Sequence, residues 1–259
     1  MHKPYLIDGL KFDMRIYCLV YGVDPLRVFV FREGLARFAT EEYLGPYRNN
    51  LDNLYMHLTN YAINKNSENF EANEDSAEDD CGHKRSVSSI FAFIEENEPQ
   101  SGLTAQKLWE QIDDIAVKTL ISAQPQLCHS YRSTQPEDLE NSMCFEVLGL
   151  DIFLDDALKP WLIEVNSLPS FATDSPLDKK IKFDMVYETI AMLNLSPKRK
   201  KRLKREKTEQ FNRRQNKEGA LTKPQRDLIR KRNQAERDKW DLKLCTGYVR
   251  VYPSADPDK

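Results

Sequence analysis

Residues 144–166 read CFEVLGLDIFLDDALKPWLIEVN, two apolar runs on either side of Asp155-Asp156-Ala157-Leu158-Lys159-Pro160. Two apolar runs joined by a short turn-like connection are a hairpin signal. Side chains alternate faces along a strand. A hairpin symmetric about residues 157 and 158 therefore puts Asp151 directly across from Glu164, with Asn166 one step further on the same face. Trp161, Ile163 and Val165 then point the other way, and with Leu150, Ile152 and Leu154 they should bury that side. Carboxylates facing each other across a strand pair repel by roughly 0.2–1 kcal/mol. A shared proton could offset this. A divalent cation could do so better, with Asn166 as a third, neutral oxygen. Hard oxygens without His or Cys suit Mg²⁺ rather than zinc. The same residues also fit a polar strand face turned to water.

Upstream, Leu10 to Tyr21 reads as a strand, Gly22-Val23-Asp24-Pro25 as a turn, and Arg27 to Phe31 as the return strand. Lys11, Asp13, Arg15 and Tyr17 share one face of the first strand, opposite Phe12, Met14, Ile16 and Cys18. Taken alone, the charged set fits a solvated face with neutralising pairs. His57 reads as structural and Arg32 as a surface residue. Residues 67–82, SENFEANEDSAEDDCG, are acidic, almost free of large apolar groups, and predict a solvated loop. Leu103 to Gln124 predicts an amphipathic helix with Leu108, Ile112, Ile115, Ala116, Thr119 and Leu120 inward. Ser175-Pro176 signals a cap and first-turn proline, with Leu177, Ile181, Met185 and Ile190 on the inner side of the helix that follows. Strands and helices mixed in one domain predict an α+β layout.

At 259 residues, 40% hydrophobic and 31% charged, the chain can bury a sizeable core. Its longest apolar runs fall far short of the roughly 20 residues that span a bilayer. The N-terminal MHKPYLIDGLKFDMR has no signal-peptide apolar core. Five widely spaced cysteines without a C-x-x-C pair indicate neither a disulfide framework nor a zinc site, and fit a reducing compartment. The net charge of −3 conceals an asymmetry. Residues 196–240 hold 18 Lys or Arg and 6 Asp or Glu, a net +12, so the remainder carries −15. Such a segment seeks an acidic partner through long-range attraction that salt weakens. KRKKRLKR would also serve nucleic acid or nuclear import, but only Phe211 and Trp240 interleave the basic residues, so base stacking is not suggested.

Five segments carry a resemblance: KFDMRIY (11–17), LARFATEEY (35–43), MHLTNYAIN (56–64), LGLDIFLDD (148–156) and KPWLIEVNSLPSF (159–171). In this order they closely resemble the tubulin tyrosine ligase-like family, its polyglutamylase branch above all, over roughly residues 3–195. The resemblance implies an ATP-grasp-like fold. It also implies joining of free L-glutamate to a glutamate side chain in an acidic tubulin tail, through an acyl phosphate made from ATP. Carried over by position, Asp151, Glu164 and Asn166 become magnesium ligands, and Lys11, Asp13, Thr59 and Asn60 contacts to ATP. Arg37, holding the incoming amino acid, and Arg15, lining the same site, take the catalytic positions. Tyr61, Lys84 and Lys182 become the remaining amino-acid contacts. Phosphoryl transfer to a carboxylate gathers negative charge that cations must neutralise, and forked arginines suit carboxylates.

The cationic segment 196–240, expected to be helical or disordered, then predicts microtubule binding, and 241–259 a tail, in a protein of the cytoplasm and cytoskeleton, cilium or basal body included. The family's N-terminal domain and the first half of its ATP-grasp have no counterpart here; the chain has nine glycines and no GxGxxG. The chain is thus expected to be the C-terminal part of such a ligase. The alternative is a non-catalytic microtubule-binding protein.

Overall fold

The computed structural model describes residues 3–254 except 48, 73, 74, 76–78 and 217–220. A short strand β1 (Leu6–Ile7) turns at Asp8-Gly9 into β2 (Leu10–Val23), which pairs antiparallel with β3 (Leu26–Phe38). Two single-turn helices follow, α1 (Leu54–His57) and α2 (Tyr61–Asn64). Then come β4 (Lys84–Ser86), α3 (Val87–Asn97) and the 30-residue α4 (Ala105–Thr134). The hairpin of the sequence reading is β5 (Glu146–Leu154) and β6 (Pro160–Asn166). The chain continues as α5 (Pro176–Met192), α6 (Pro197–Gln215), α7 (Lys223–Leu244) and β7 (Tyr248–Tyr252). The sheet runs β4-β3-β2-β5-β6, with β7 pairing along the outer edge of β3 beside β4. Every pairing is antiparallel, and the fold is α+β as the sequence predicts.

Alternation along β2 explains the layers. Phe12, Met14, Ile16 and Cys18 join Val28, Val30, Leu150 and Ile152 on one face, beneath Ile90, Phe91 and Ile94 of α3 and Leu108, Ile112, Ala116 and Leu120 of α4. On the other face Tyr17, Leu19, Tyr21, Phe29 and Phe31 pack under Leu177, Ile181 and Met185 of α5. Helix α5 covers only part of that second face. Further along the same face of β2 lie Lys11 and Arg15, half-buried, and Asp13, buried.

Several expectations need correction. β6 carries a bulge: Asp151 pairs with Glu164, but Ile152 pairs with Leu162 and Phe153 with Trp161. The extra residue changes the parity, so Trp161 joins Phe153 on the face of Asp151 and Glu164 instead of opposing it. Trp161, Ile163 and Val165 are also exposed, on a strand at the edge of the sheet. Ile190 lies outward on α5, 55% exposed, and Met192 takes the inner place. The helix expected to end near Gln124 continues through Pro125 to Thr134. Arg32 is no free surface residue: its guanidinium donates to both carboxylate oxygens of Asp113 at 2.7 Å and lies over the Trp109 ring, clamping β3 to α4. His57 serves structure, its Nε2 3.0 Å from the Asn50 carbonyl.

The segment read as a tail instead carries the end of α7 and β7, as far as Ser254; 255–259 lie outside the described residues. So do 73, 74 and 76–78 of the acidic loop. The basic helices are held to the body by part of their own charge. Arg199 and Arg202 converge on Glu140, and Arg237 donates to the carbonyls of Tyr21 and Asn141. Among the described residues no helix is long and apolar enough to cross a membrane.

Candidate active site

Antiparallel register assembles a charged band across the open part of the sheet. Arg37 on β3 pairs with Asp13 on β2 and, on its other side, with Lys84 on β4. Two residues further along β2, Arg15 pairs with Asp151 on β5, which pairs with Glu164 on β6. Cross-strand neighbours lie about 5 Å apart at Cβ, close enough for their side chains to bond.

They do bond. Arg15 donates Nε to Asp151 Oδ1 and Nη2 to Oδ2, the latter at 3.0 Å. Arg37 donates Nε to Asp13 Oδ1 at 3.0 Å and Nη2 to Asp13 Oδ2, and that Nη2 also lies 2.9 Å from Asp151 Oδ2. Asp13 and Asp151 are 3% and 4% exposed. Burial pushes the Asp151 carboxyl up, but hydrogen bonds from Arg15 and the charge of Arg37 outweigh it and hold its pKa below the ordinary value. Burial also works against the Arg37 cation, and Asp13 and Asp151 more than offset that, raising its pKa. The repulsion between Asp151 and Glu164 is therefore relieved by arginines as the protein stands. That repulsion does not by itself require a metal. What remains is the chemistry of the donors.

Those donors fit magnesium. Asn166 Nδ2 lies 3.0 Å from Glu164 Oε1 and 3.4 Å from Asp151 Oδ2, so the three expected ligands do cluster. Glu164 is exposed and accepts from Asn166. No set of three or more His, Cys, Asp or Glu side chains suited to a metal occurs among the described residues, so Asn166 is needed to complete this one.

The other expected residues fall on two sides of the band. Lys11 donates to the His57 carbonyl at 2.7 Å and lies 4.9 Å from the Phe153 ring centroid; burial lowers its pKa and Asp13 partly restores it. Thr59 is buried and Asn60 exposed, both in the turn between α1 and α2, with Asn60 at the N-cap of α2 and its side chain making no cap bond. Opposite, the Lys84 ammonium sits 3.6 Å from the Tyr61 ring centroid and 2.5 Å from Asp178 on α5. Lys182, one helical turn after Asp178, donates to the Ala172 carbonyl.

Sequence reasoning missed Asp178 and Gly149. Asp178 lies in the first turn of α5, where an acidic residue is expected for the helix dipole alone, and that ordinary reading hides its partners. Gly149 pairs with Asn166 and lies beneath Arg15. A Cβ there would sit 2.8 Å from Arg15 Cδ and 3.1 Å from both Arg15 Nε and Pro169 Cβ. Gly149→Ala is expected to lift Arg15 off Asp151 and cost about 1–3 kcal/mol, the overpacking range, read as a lowered urea midpoint. An unchanged midpoint would show that Arg15 moves aside freely.

The model of the tubulin-tyrosine ligase family matches residues 1–203. The chain belongs to the tubulin-tyrosine ligase family. Among its relatives, the "Probable beta-tubulin polyglutamylase" of Tetrahymena thermophila is 44% identical over 260 residues, covering 100% of this chain and 21% of that protein. The human "Tubulin polyglutamylase TTLL6" is 42% identical over 261 residues, 99% of this chain and 28% of the relative. Mouse "Tubulin polyglutamylase TTLL13" is 43% identical over 267 residues, 99% and 32% respectively. The chain thus spans roughly a fifth to a third of the length of these relatives. The site lies within the residues that the family model covers.

Proposed function

We propose that this chain carries the chemistry of a tubulin polyglutamylase, the ATP- and magnesium-dependent ligation of free L-glutamate to glutamate side chains in tubulin tails. The observation that carries this reading is the charged band. Alternating cations and carboxylates from β2, β3, β5 and β6 lie side by side on one face of the sheet, within segments matched by the ligase family. Proteins named as polyglutamylases align over nearly its whole length, which favours the ligase over a non-catalytic microtubule-binding protein.

In this reading Lys11, Asp13, Thr59 and Asn60 hold ATP, and Asp151, Glu164 and Asn166 hold magnesium. Bound magnesium supplies charge neutralisation at the phosphates and at the carboxylate being phosphorylated. Arg15 and Arg37 are rigid, always charged forks already aimed into the site. They orient the incoming amino acid, so its amine attacks the acyl phosphate and phosphate leaves; no side-chain nucleophile is required. The pre-formed geometry matters because cations fixed in place need no reorganisation as charge develops.

The basic helices gather the acidic tail. Lys198, Lys200, Lys201, Lys204 and Arg205 are exposed on α6, whereas Arg199, Arg202 and Arg237 are spent on internal contacts. Glu164→Gln tests the central assignment. It removes a ligand charge from an exposed residue, so ligation is expected to fall to background while microtubule co-sedimentation is unchanged. Retained ligase activity would remove Glu164 from the site.

A further inference from the structure

Among the described residues four buried side-chain donors have no hydrogen-bond partner: Arg27 Nε and Nη1, Arg230 Nε and Arg237 Nε. The three arginines that carry them all line one cavity of about 30 Å³. It lies where α7 meets the turn between β2 and β3, and its charged wall is Arg27, Arg132, Arg230 and Arg237 against Asp24 and Glu140. Arg27 is 1% exposed. A buried donor left unmet is destabilising, most of all on a charged group.

The neighbouring acids are already engaged. Asp24 takes Arg132, and Glu140 takes Arg199 and Arg202 from α6. Arg27 spends Nη2 on Asp241 and on Asp238, the latter at 2.8 Å and shared with Arg250. Asp241 has an unpartnered Oδ1 of its own but is not part of the cavity wall. Arg230 Nη1 lies 3.8 Å from Asp227. Arg237 bonds to backbone carbonyls instead, those of Tyr21, Glu140 and Asn141, with its guanidinium 3.6 Å from the Tyr21 ring centroid. Burial, together with the Arg27 and Arg199 cations, lowers the Arg237 pKa to about 10, against the opposing pull of Tyr21 and Asp241.

A buried water makes about three hydrogen bonds and carries no net charge. Here every unmet donor sits on a cation, so an acceptor with negative charge supplies both what the donors and what the charges lack. Size narrows the choice. A water needs roughly 10–15 Å³ of such space, and the cavity has room for one larger monatomic ion but not for a four-oxygen phosphate or a carboxylate side chain.

We propose that this cavity is a chloride site, in which one halide held by Arg27, Arg230 and Arg237 pins the cationic helix α7 to the β2–β3 hairpin. Without the ion their like charges stand unrelieved, and α7 is held less tightly at that seam.

The full chain, dialysed into sodium gluconate and titrated with sodium chloride at fixed ionic strength, separates binding from screening. Tm is expected to rise saturably, by about 3–6 °C once chloride reaches roughly ten times its Kd. Arg230→Gln removes one guanidinium at a side chain 39% exposed and is expected to lose most of that rise. Equal Tm in chloride and gluconate overturns the proposal. So does a full chloride response in Arg230→Gln, which would place the ion elsewhere. Crystals of the wild-type chain grown in sodium bromide serve even where the variant does not fold: an anomalous peak is expected in the cavity beside Arg27, Arg230 and Arg237. A cavity holding water alone, with no bromide peak, overturns the site.

Discussion

Arg37→Ala is expected to lower unfolding free energy by about 3 kcal/mol or more and to abolish ligation. The magnitude follows from what it strands. Asp13 loses the guanidinium that holds both its oxygens, and Asp151 loses one of its two arginines, at sites 3% and 4% exposed. Breaking one partner out of a buried ion network typically costs about 3–5 kcal/mol, because an uncompensated charge is left behind. Arg15 stays on Asp151 and keeps the loss toward the lower end. Arg37→Lys is not conservative here, since one ammonium cannot reproduce the fork across two carboxylates.

The pH dependence separates this cause from a packing defect. The native Asp151 pKa lies below its unfolded value of about 3.9, so its pairing stabilises fully above about pH 4 and is lost as pH falls through the native value. The deficit of Arg37→Ala should therefore be flat from pH 8 to 5 and shrink below about pH 4. Urea denaturation at pH 7 and pH 3 checks it. A deficit of equal size at both would mean that the lost packing, not the charge, is responsible.

Glu188→Ala is expected to detach the C-terminal strand, at a cost of about 2–4 kcal/mol. Glu188 on α5 accepts the amides of Thr246 and Gly247 at 2.8 Å and of Tyr248 at 3.0 Å, plus the Thr246 hydroxyl at 3.1 Å. One carboxylate thus satisfies the bend that turns α7 into β7. A buried donor left without a partner costs about 1–3 kcal/mol, and the exposed Thr246 amide recovers some of that from water. Gly247 leaves no alternative path, because a Cβ there would collide with the Phe31 ring. Amide exchange should accelerate through Tyr248–Tyr252 well beyond the change in global stability. Protection that falls only in step with the global unfolding free energy would mean that β7 is held by its pairing to β3 alone.

The parts of the fold legible in sequence are those joined by short connections. The β2–β3 and β5–β6 hairpins were readable because alternation and turn chemistry act locally, and a short turn leaves few registers open. Asp151 does face Glu164 as a symmetric hairpin requires. Yet the bulge in β6 reverses Trp161, and alternation carries no signal for it. Arg32 shows the same limit: an arginine in a strand says nothing about an aspartate on a helix 81 positions later.

The sequence by itself determined which charged residues the hairpins present and where the cationic segment begins, since composition, periodicity and motif order are properties of neighbouring residues. Only the tertiary structure decided who neutralises whom. Arg15 meets Asp151 across 136 positions, and Lys84 meets Asp178 across 94. The first pair is fixed by the register of β2 and β5, brought together when their apolar faces are buried, and the second by the packing of α5 on the sheet. Charge attraction is too weak in water to choose partners at that separation. Burial of the sheet chooses them, and the ion pairs then form between whatever the register has placed side by side.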